Sequence, residues 1–216
     1  MKNLPLSLLS LLFIFSCSEN DSYSARVLNA DTENESWLLH GRTYDESRFS
    51  PLKDINDSNV EGLGLAWSFE TGTNRGHETT PIVVDGMMFI SAPWSVVFAL
   101  NPITGEKIWS FDPQADKAWA RNACCDVVNR GVAVWEDQVI IATIDGRLIS
   151  LNKNSGEVNW DVLTIDKSKP YTITGAPRII DGKIIIGNGG GEYGVRGYIS
   201  AYDVQDGSML WRFFTV

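Results

Sequence analysis

Basic side chains are in short supply: 18 Lys and Arg face 27 Asp and Glu, and the cations form no cluster. The net charge of −9 argues against nucleic acid and anionic membrane as partners. Histidine is scarcer still. His40, His77 and three cysteines are too few for an ordinary zinc ligand set around the cysteines. The longest apolar run, LPLSLLSLLFIFS (4–16), is short for a membrane-spanning helix. No GxGxxG opens a helix and no βαβ pattern occurs, which excludes a dinucleotide fold.

What is abundant points to sheet. Hydrophobic residues make up 44% of the chain, enough for a core, and eight Trp and nineteen Gly accompany many Val and Ile. The beginning of the chain reads as an export signal (1–16), with Lys2 before the apolar run. That run ends at IFSC, similar to a bacterial lipobox in which Cys17 would carry lipid; a conventional signal peptide is the alternative. Either places the mature protein in the periplasm, and the lipobox reading anchors it there by lipid on Cys17. Residues 17–35 read as a polar tether without periodicity. Cys124 and Cys125 then remain as a pair in an oxidising compartment.

Residues 36–216 are organised by a repeat. ALNPITGEKIW (99–109), SLNKNSGEVNW (150–160) and AYDVQDGSMLW (201–211) align, so Gly105, Gly156 and Gly207 recur every 51 residues. Trp109, Trp160 and Trp211 follow the same interval. A second hairpin precedes each unit, turning at Asp85-Gly86, Glu136-Asp137 and Asp181-Gly182. Two hairpins per unit predict four-stranded antiparallel blades and an all-β propeller, with the Trp residues packed between blades. Propellers close with about four to eight blades. The roughly three found here predict the N-terminal part of a larger protein with an unpaired hydrophobic edge.

The repeat is interrupted twice. From hairpin turn to downstream Gly the first two units take 19 residues (Gly86 to Gly105, Asp137 to Gly156), the third 25 (Gly182 to Gly207). From Gly105 to Asp137 is 32 residues, whereas Gly156 to Gly182 is 26. Two loops therefore carry about six extra residues each, and loop insertions on a rigid scaffold are where function gathers. One holds KAWARNACCDVVNR, the other GNGGGEYGVRG.

Adjacent Cα atoms lie about 3.8 Å apart, less than the roughly 4.4–6.8 Å that a disulfide normally spans. A Cys124–Cys125 bond would be strained and would close almost no loop, so it is a poor staple. Its use would be a compact, flat surface against a planar ligand; two free thiols are the other reading. Arg130 offers a bidentate clamp for a carboxylate or quinone oxygen, or is simply a surface Arg. Glu192, after three glycines that allow close backbone approach, offers an oxygen to a hard cation. Glu78 and Thr174 read as a loop carboxylate and a strand-end hydroxyl.

Taken together, WLLHGRTYDESRFSPLKDINDSNVEGLGLAW (37–67), GHETTP, CCDVVNRGVAV, DGRLISL, YTITGAP and GGGEYGVRGYISAYD resemble the alcohol dehydrogenases that depend on pyrroloquinoline quinone (PQQ). The resemblance covers nearly the whole mature chain. It implies an eight-bladed propeller, of which this chain holds about the first three to four blades. It implies a Cys124–Cys125 ring stacked on PQQ, with Glu78, Arg130 and Thr174 bonding its carboxylates and quinone oxygens. Gly190 and Gly191 would line the pocket, and Glu192 would ligate Ca²⁺ or a lanthanide. Where the family often carries a hydroxyl or Ala, this sequence has Gly189 and Gly191. The implied activity is oxidation of an alcohol to an aldehyde, with electrons passed to cytochrome c or a similar acceptor. The base, an Asp in the family, is expected beyond residue 216, so the chain alone is expected to be inactive. A non-catalytic propeller lipoprotein acting as a scaffold would share the repeat without explaining the two inserted loops. A PQQ sugar dehydrogenase is disfavoured by the adjacent cysteines.

Overall fold

A computed structural model describes residues 23–216; the expected signal segment and Cys17 lie outside the described residues. Three four-stranded antiparallel sheets follow one another along the chain. The first contains β1 (Ile82–Val84), β2 (Met87–Ser91), β3 (Val97–Leu100) and β4 (Lys107–Phe111). The second contains β5 (Ala133–Trp135), β6 (Gln138–Ala142), β7 (Arg147–Asn152) and β8 (Val158–Leu163). The third contains β9 (Arg178–Ile180), β10 (Lys183–Gly187), β11 (Tyr198–Asp203) and β12 (Met209–Phe214). Within each sheet the strands lie in sequence order, the arrangement of propeller blades.

The hairpin signals act as their chemistry requires. Val84 pairs with Met87 and Ile180 with Lys183, each across a two-residue turn. Asp85, Gly86, Asp181 and Gly182 all have positive φ, as a type I′ turn demands. The second hairpin of each unit is closed by an Asx turn. The side chain of Asn101 accepts from Ile103 and Thr104, that of Asn152 from Asn154 and Ser155, and that of Asp203 from Gln205.

Blades interlock through Trp on Gly. A Cβ at Gly105 would lie 2.5 Å from the Trp67 ring, one at Gly156 2.7 Å from Trp109, and one at Gly207 2.8 Å from Trp160. The indole N–H groups donate to carbonyls in those same turns: Trp67 to Pro102 (3.1 Å), Trp109 to Lys153 (2.9 Å), Trp160 to Val204 (3.1 Å). Trp109 and Trp160 thus pack between blades as the repeat predicts. Trp67 does the same from outside the repeat. Trp211, at the equivalent place on β12, stands 44% exposed beside exposed Met209, Leu210 and Phe213.

The described part of the segment read as a polar tether, from residue 23 on, is packed against the blades. Residues Tyr23–Leu28 form a short helix, α1, with Tyr23, Val27 and Ala30 buried. These three sit four and three residues apart, a helical stripe too brief to stand out in a polar segment. The Tyr23 ring meets Trp135 at 5.7 Å and its hydroxyl donates to the Leu38 carbonyl. Arg26 pairs with Asp85, and the Asp181 N–H donates to Ser24. The segment therefore touches all three blades at the end formed by the β1–β2 and β9–β10 turns. Trp37 then pairs antiparallel with Val83. Among the described residues no helix is long and apolar enough to cross a membrane.

Candidate functional site

In an antiparallel blade the β2–β3 type connections and the links to the next blade share one end, opposite the tight hairpin turns. Every candidate residue lies on that shared end. Glu78 precedes β1, Cys124, Cys125 and Arg130 lie between β4 and β5, Thr174 between β8 and β9, and Gly190 to Glu192 between β10 and β11. Residues up to 114 positions apart in sequence (Glu78 to Glu192) are thereby gathered on one face.

Arg130 is the centre of the cluster. Its Nη2 lies 2.8 Å from Glu78 Oε2, and its Nη1 donates to Thr174 Oγ1 at 2.7 Å. Its backbone is held too: the Arg130 N–H donates to the Thr174 carbonyl (3.0 Å), and Thr80 N–H donates to the Arg130 carbonyl (3.2 Å). Side chains of Arg130 and Glu78 remain 43% and 40% exposed, so part of the guanidinium fork is open to a ligand. Arg130 and Thr174 line an open cleft of about 510 Å³ with His40, Arg178 and Gly189. Arg178 is already paired with Glu46. His40 is held below its ordinary range by burial and by the nearby Arg178 and Arg48.

The two inserted loops meet. The neighbouring Cys125 and Glu192 push the Cys124 thiol up to about 11. A second thiol and a carboxylate beside the group disfavour its thiolate form, which is the cause of the rise. The expected disulfide ring is not seen: both cysteines are free and exposed in the structure. Nothing in this exposed loop forces the strained eight-membered closure.

The glycine run divides by role. Gly190 has φ +104, and a Cβ there would fall 2.5 Å from the Pro170 carbonyl oxygen, so only Gly fits. A Cβ at Gly189 would meet Thr172 Oγ1 at 2.8 Å, where the Gly189 N–H donates to the Thr172 carbonyl. Gly191 faces open space. The tight backbone of 189–190 presents Glu192 beside Cys124. Among the described residues no group of three or more His, Cys, Asp or Glu is poised to hold a metal. Glu192 supplies one anionic oxygen donor, which suits a hard cation but does not complete the six to eight oxygens, roughly, that Ca²⁺ takes.

Sequence reasoning missed the supports of this cluster. Asn129, Ser91 and Thr79 are ordinary polar residues by composition, yet Asn129 and Ser91 are buried beneath Arg130. Trp94 was also missed: Lys117 Nζ lies 3.9 Å from its ring centroid, and Arg75, paired with Asp126, approaches it as well.

A family model described as PQQ, glucose/ethanol/alcohol dehydrogenase, β-propeller domain, matches residues 37–216. The chain is 54% identical over 193 residues to quinohemoprotein alcohol dehydrogenase ADH-IIG of Pseudomonas putida, covering 89% of this chain and 27% of that protein. It is 53% identical over 168 residues to a 1-butanol dehydrogenase (cytochrome c) of Thauera butanivorans, covering 77% and 24%. A solved europium-containing methanol dehydrogenase superposes with a TM-score of 0.84 at 37% identity, over 88% of this chain and 34% of that one. The chain thus spans about a quarter of the length of these two curated relatives. Matched over 180 of 216 residues (37 to 216), it belongs to the PQQ-dependent glucose/ethanol/alcohol dehydrogenase β-propeller family.

Proposed function

We propose that this chain is the N-terminal part of a periplasmic PQQ-dependent dehydrogenase that oxidises alcohols to aldehydes and passes electrons to a cytochrome-type acceptor. The observation that carries the reading is the Arg130–Glu78–Thr174 cluster, with the Cys124–Cys125 loop and Glu192 on the same face. A planar tricarboxylate needs this chemistry: an open guanidinium fork, a hydroxyl, and a compact apolar surface. When bound, PQQ supplies the acceptor for the electron pair leaving the alcohol carbon.

This chain's residues bind and orient. Arg130 keeps its planar fork aimed into the cleft because Thr174 and Glu78 hold two of its nitrogens. Thr174 presents its hydroxyl from a backbone tied to Arg130, so the two donors move as one body. Cys124 and Cys125 furnish a soft face beside Glu192, and Glu192 offers its carboxylate to Ca²⁺ or a lanthanide. The proton-abstracting carboxylate and the remaining metal ligands are expected on a later segment. The printed names of relatives, an alcohol dehydrogenase and a cytochrome c-linked 1-butanol dehydrogenase, support the substrate class and acceptor. Export, with lipid on Cys17, would place the site in the compartment where such acceptors operate.

The test is purification of the intact protein that carries this segment, followed by absorption spectroscopy and alcohol-dependent dye reduction with PQQ and Ca²⁺ supplied. Bound PQQ and alcohol-dependent turnover are expected, both lost in Arg130→Ala. A well-folded intact protein that takes up no PQQ would overturn the reading.

A further inference from the structure

Beneath the cluster runs a buried polar relay that the proposed chemistry does not use. Asn129, between the cysteine pair and Arg130, is 1% exposed and uses its whole amide. Its Nδ2 donates to the Ala142 carbonyl at the end of β6 (2.8 Å) and to Ser95 Oγ (3.3 Å). Its Oδ1 accepts from the Gly131 N–H at 3.0 Å. Its own carbonyl accepts from Ser91 Oγ (3.4 Å), and Ser91 Oγ also lies 3.1 Å from Thr79 Oγ1, next to Glu78. The Asn129 side chain thus joins the first and second blades to the Arg130 flank, and its backbone carbonyl reaches the Glu78 flank through Ser91.

The surroundings show that this linkage holds a strained arrangement. Trp94 and Ser95 have φ of 67° and 62°, two successive non-glycine residues in the left-handed region. Such conformations persist only where the environment imposes them. Here Trp94 N–H donates to the Val127 carbonyl (2.9 Å), and Ser95 meets Asn129. Gly131 is itself at φ +134°, where a Cβ would come within 3.2 Å of the Thr80 carbonyl oxygen. The loop is therefore pinned at Val127, Asn129 and Gly131, while Cys124 and Cys125 project beyond the pins into solvent.

We infer that Asn129 is a positioning residue that fixes the backbone carrying Arg130 at the base of the cysteine loop, with Ser91 extending the hold to the Glu78 segment. What the loop is positioned for rests on the PQQ reading above; the positioning itself does not. Removing the Asn129 amide leaves the Ala142 carbonyl and Gly131 N–H without partners and frees the loop locally, because strands β5–β8 keep their own ladder.

The experiment is amide hydrogen exchange, followed residue by residue in the full 216-residue chain without added cofactor. Asn129→Ala is compared with Ser91→Ala and with Ile140→Val, a core control in β6. Expected for Asn129→Ala is exchange at least tenfold faster at Arg130 and Gly131, with Val139 to Ile141 unchanged. Ser91→Ala is expected to speed Thr80 and Gly131 several-fold, and it carries the test should Asn129→Ala not fold. Ile140→Val should leave the loop amides at wild-type rates. Loop rates unchanged in the Asn129 and Ser91 variants, or raised equally throughout β6, would refute the inference. Because PQQ is absent from the measurement, failure of the PQQ reading would leave this result standing.

Discussion

Trp109 lies so close over Gly156 that a β-carbon on that glycine would sit 2.7 Å from the indole ring. The same Trp donates its N–H to Lys153 in the same turn, so ring and turn are fixed together. Gly156 also has φ +74°, which disfavours any L side chain. Gly156→Ala is therefore expected to destabilise the chain by about 2–4 kcal/mol, backbone strain and overpacking combined. Gly182 separates the two causes. Its φ is +69° but a Cβ there would have ordinary contact, 3.8 Å from Val204. Gly182→Ala should cost only about 1 kcal/mol. Chemical denaturation of both variants checks the difference, and equal losses would mean that the Trp–Gly contact adds nothing.

The cysteine pair predicts a different kind of result. With its thiol pushed up to about 11, Cys124 stays protonated at neutral pH. Since the thiolate is the nucleophile, alkylation of Cys124 should be slow at pH 7 and should climb steeply only between about pH 9 and 11. Glu192→Gln removes one cause of the rise and should move that profile to lower pH. Site-resolved mass spectrometry after iodoacetamide treatment reads this directly. Because both cysteines are exposed and close no loop, Cys124→Ala/Cys125→Ala should change stability by less than about 0.5 kcal/mol.

The repeat was legible because Asx, Gly and Trp perform local tasks that recur at fixed spacing: a turn, a positive φ, and a ring seated on a residue without a side chain. The offsets in that repeat also located both inserted loops, and Arg130 of the first meets Thr174 and Glu78, which were singled out outside them. What stayed hidden depends on contacts distant in sequence. Trp67 lacks the 51-residue phase yet docks on Gly105. Asn129 gives no pattern, since its role comes from Ser95, Ala142 and Ser91 converging on it. The pairing state of the cysteines, free here, was left open between two readings, because compartment and spacing set what a disulfide would do and not whether this loop closes one.

The N-terminal helix gives a stability test. Tyr23 is 2% exposed, meets Trp135 at 5.7 Å and donates its hydroxyl to Leu38. Burial raises the ionisation of that hydroxyl well above its ordinary range, so it serves as a neutral donor. Tyr23→Phe removes only the hydrogen bond and should cost about 1 kcal/mol. Tyr23→Ala leaves a cavity between α1 and the second blade and should cost about 3–5 kcal/mol. If residues 23–35 were a loose tether, both variants would melt like the wild type.

His40 sets a pH dependence in a window that the carboxylates do not share. Its Nδ1 is buried without a hydrogen-bond partner, and burial, then Arg178 and Arg48, hold its pKa below the ordinary 6.5, with Glu46 opposing them. The folded chain therefore binds a proton at His40 less readily than the unfolded chain. For a group whose protonated form is disfavoured by folding, stability is full above the unfolded pKa and falls as pH drops below it. The melting temperature should be level from about pH 8 to 7 and decline from about pH 6.5 towards 5. Glu46, Asp85 and Asp145 have carboxyls held low, so the stability they contribute is present above their unfolded range and is lost only as pH falls below about 4. His40→Gln should flatten the decline between pH 6.5 and 5 while leaving the acid transition below pH 4 in place. Scanning calorimetry across this range checks it; a wild-type melting temperature that is constant from pH 7 to 5 would contradict a neutral, half-buried His40 lining the cleft.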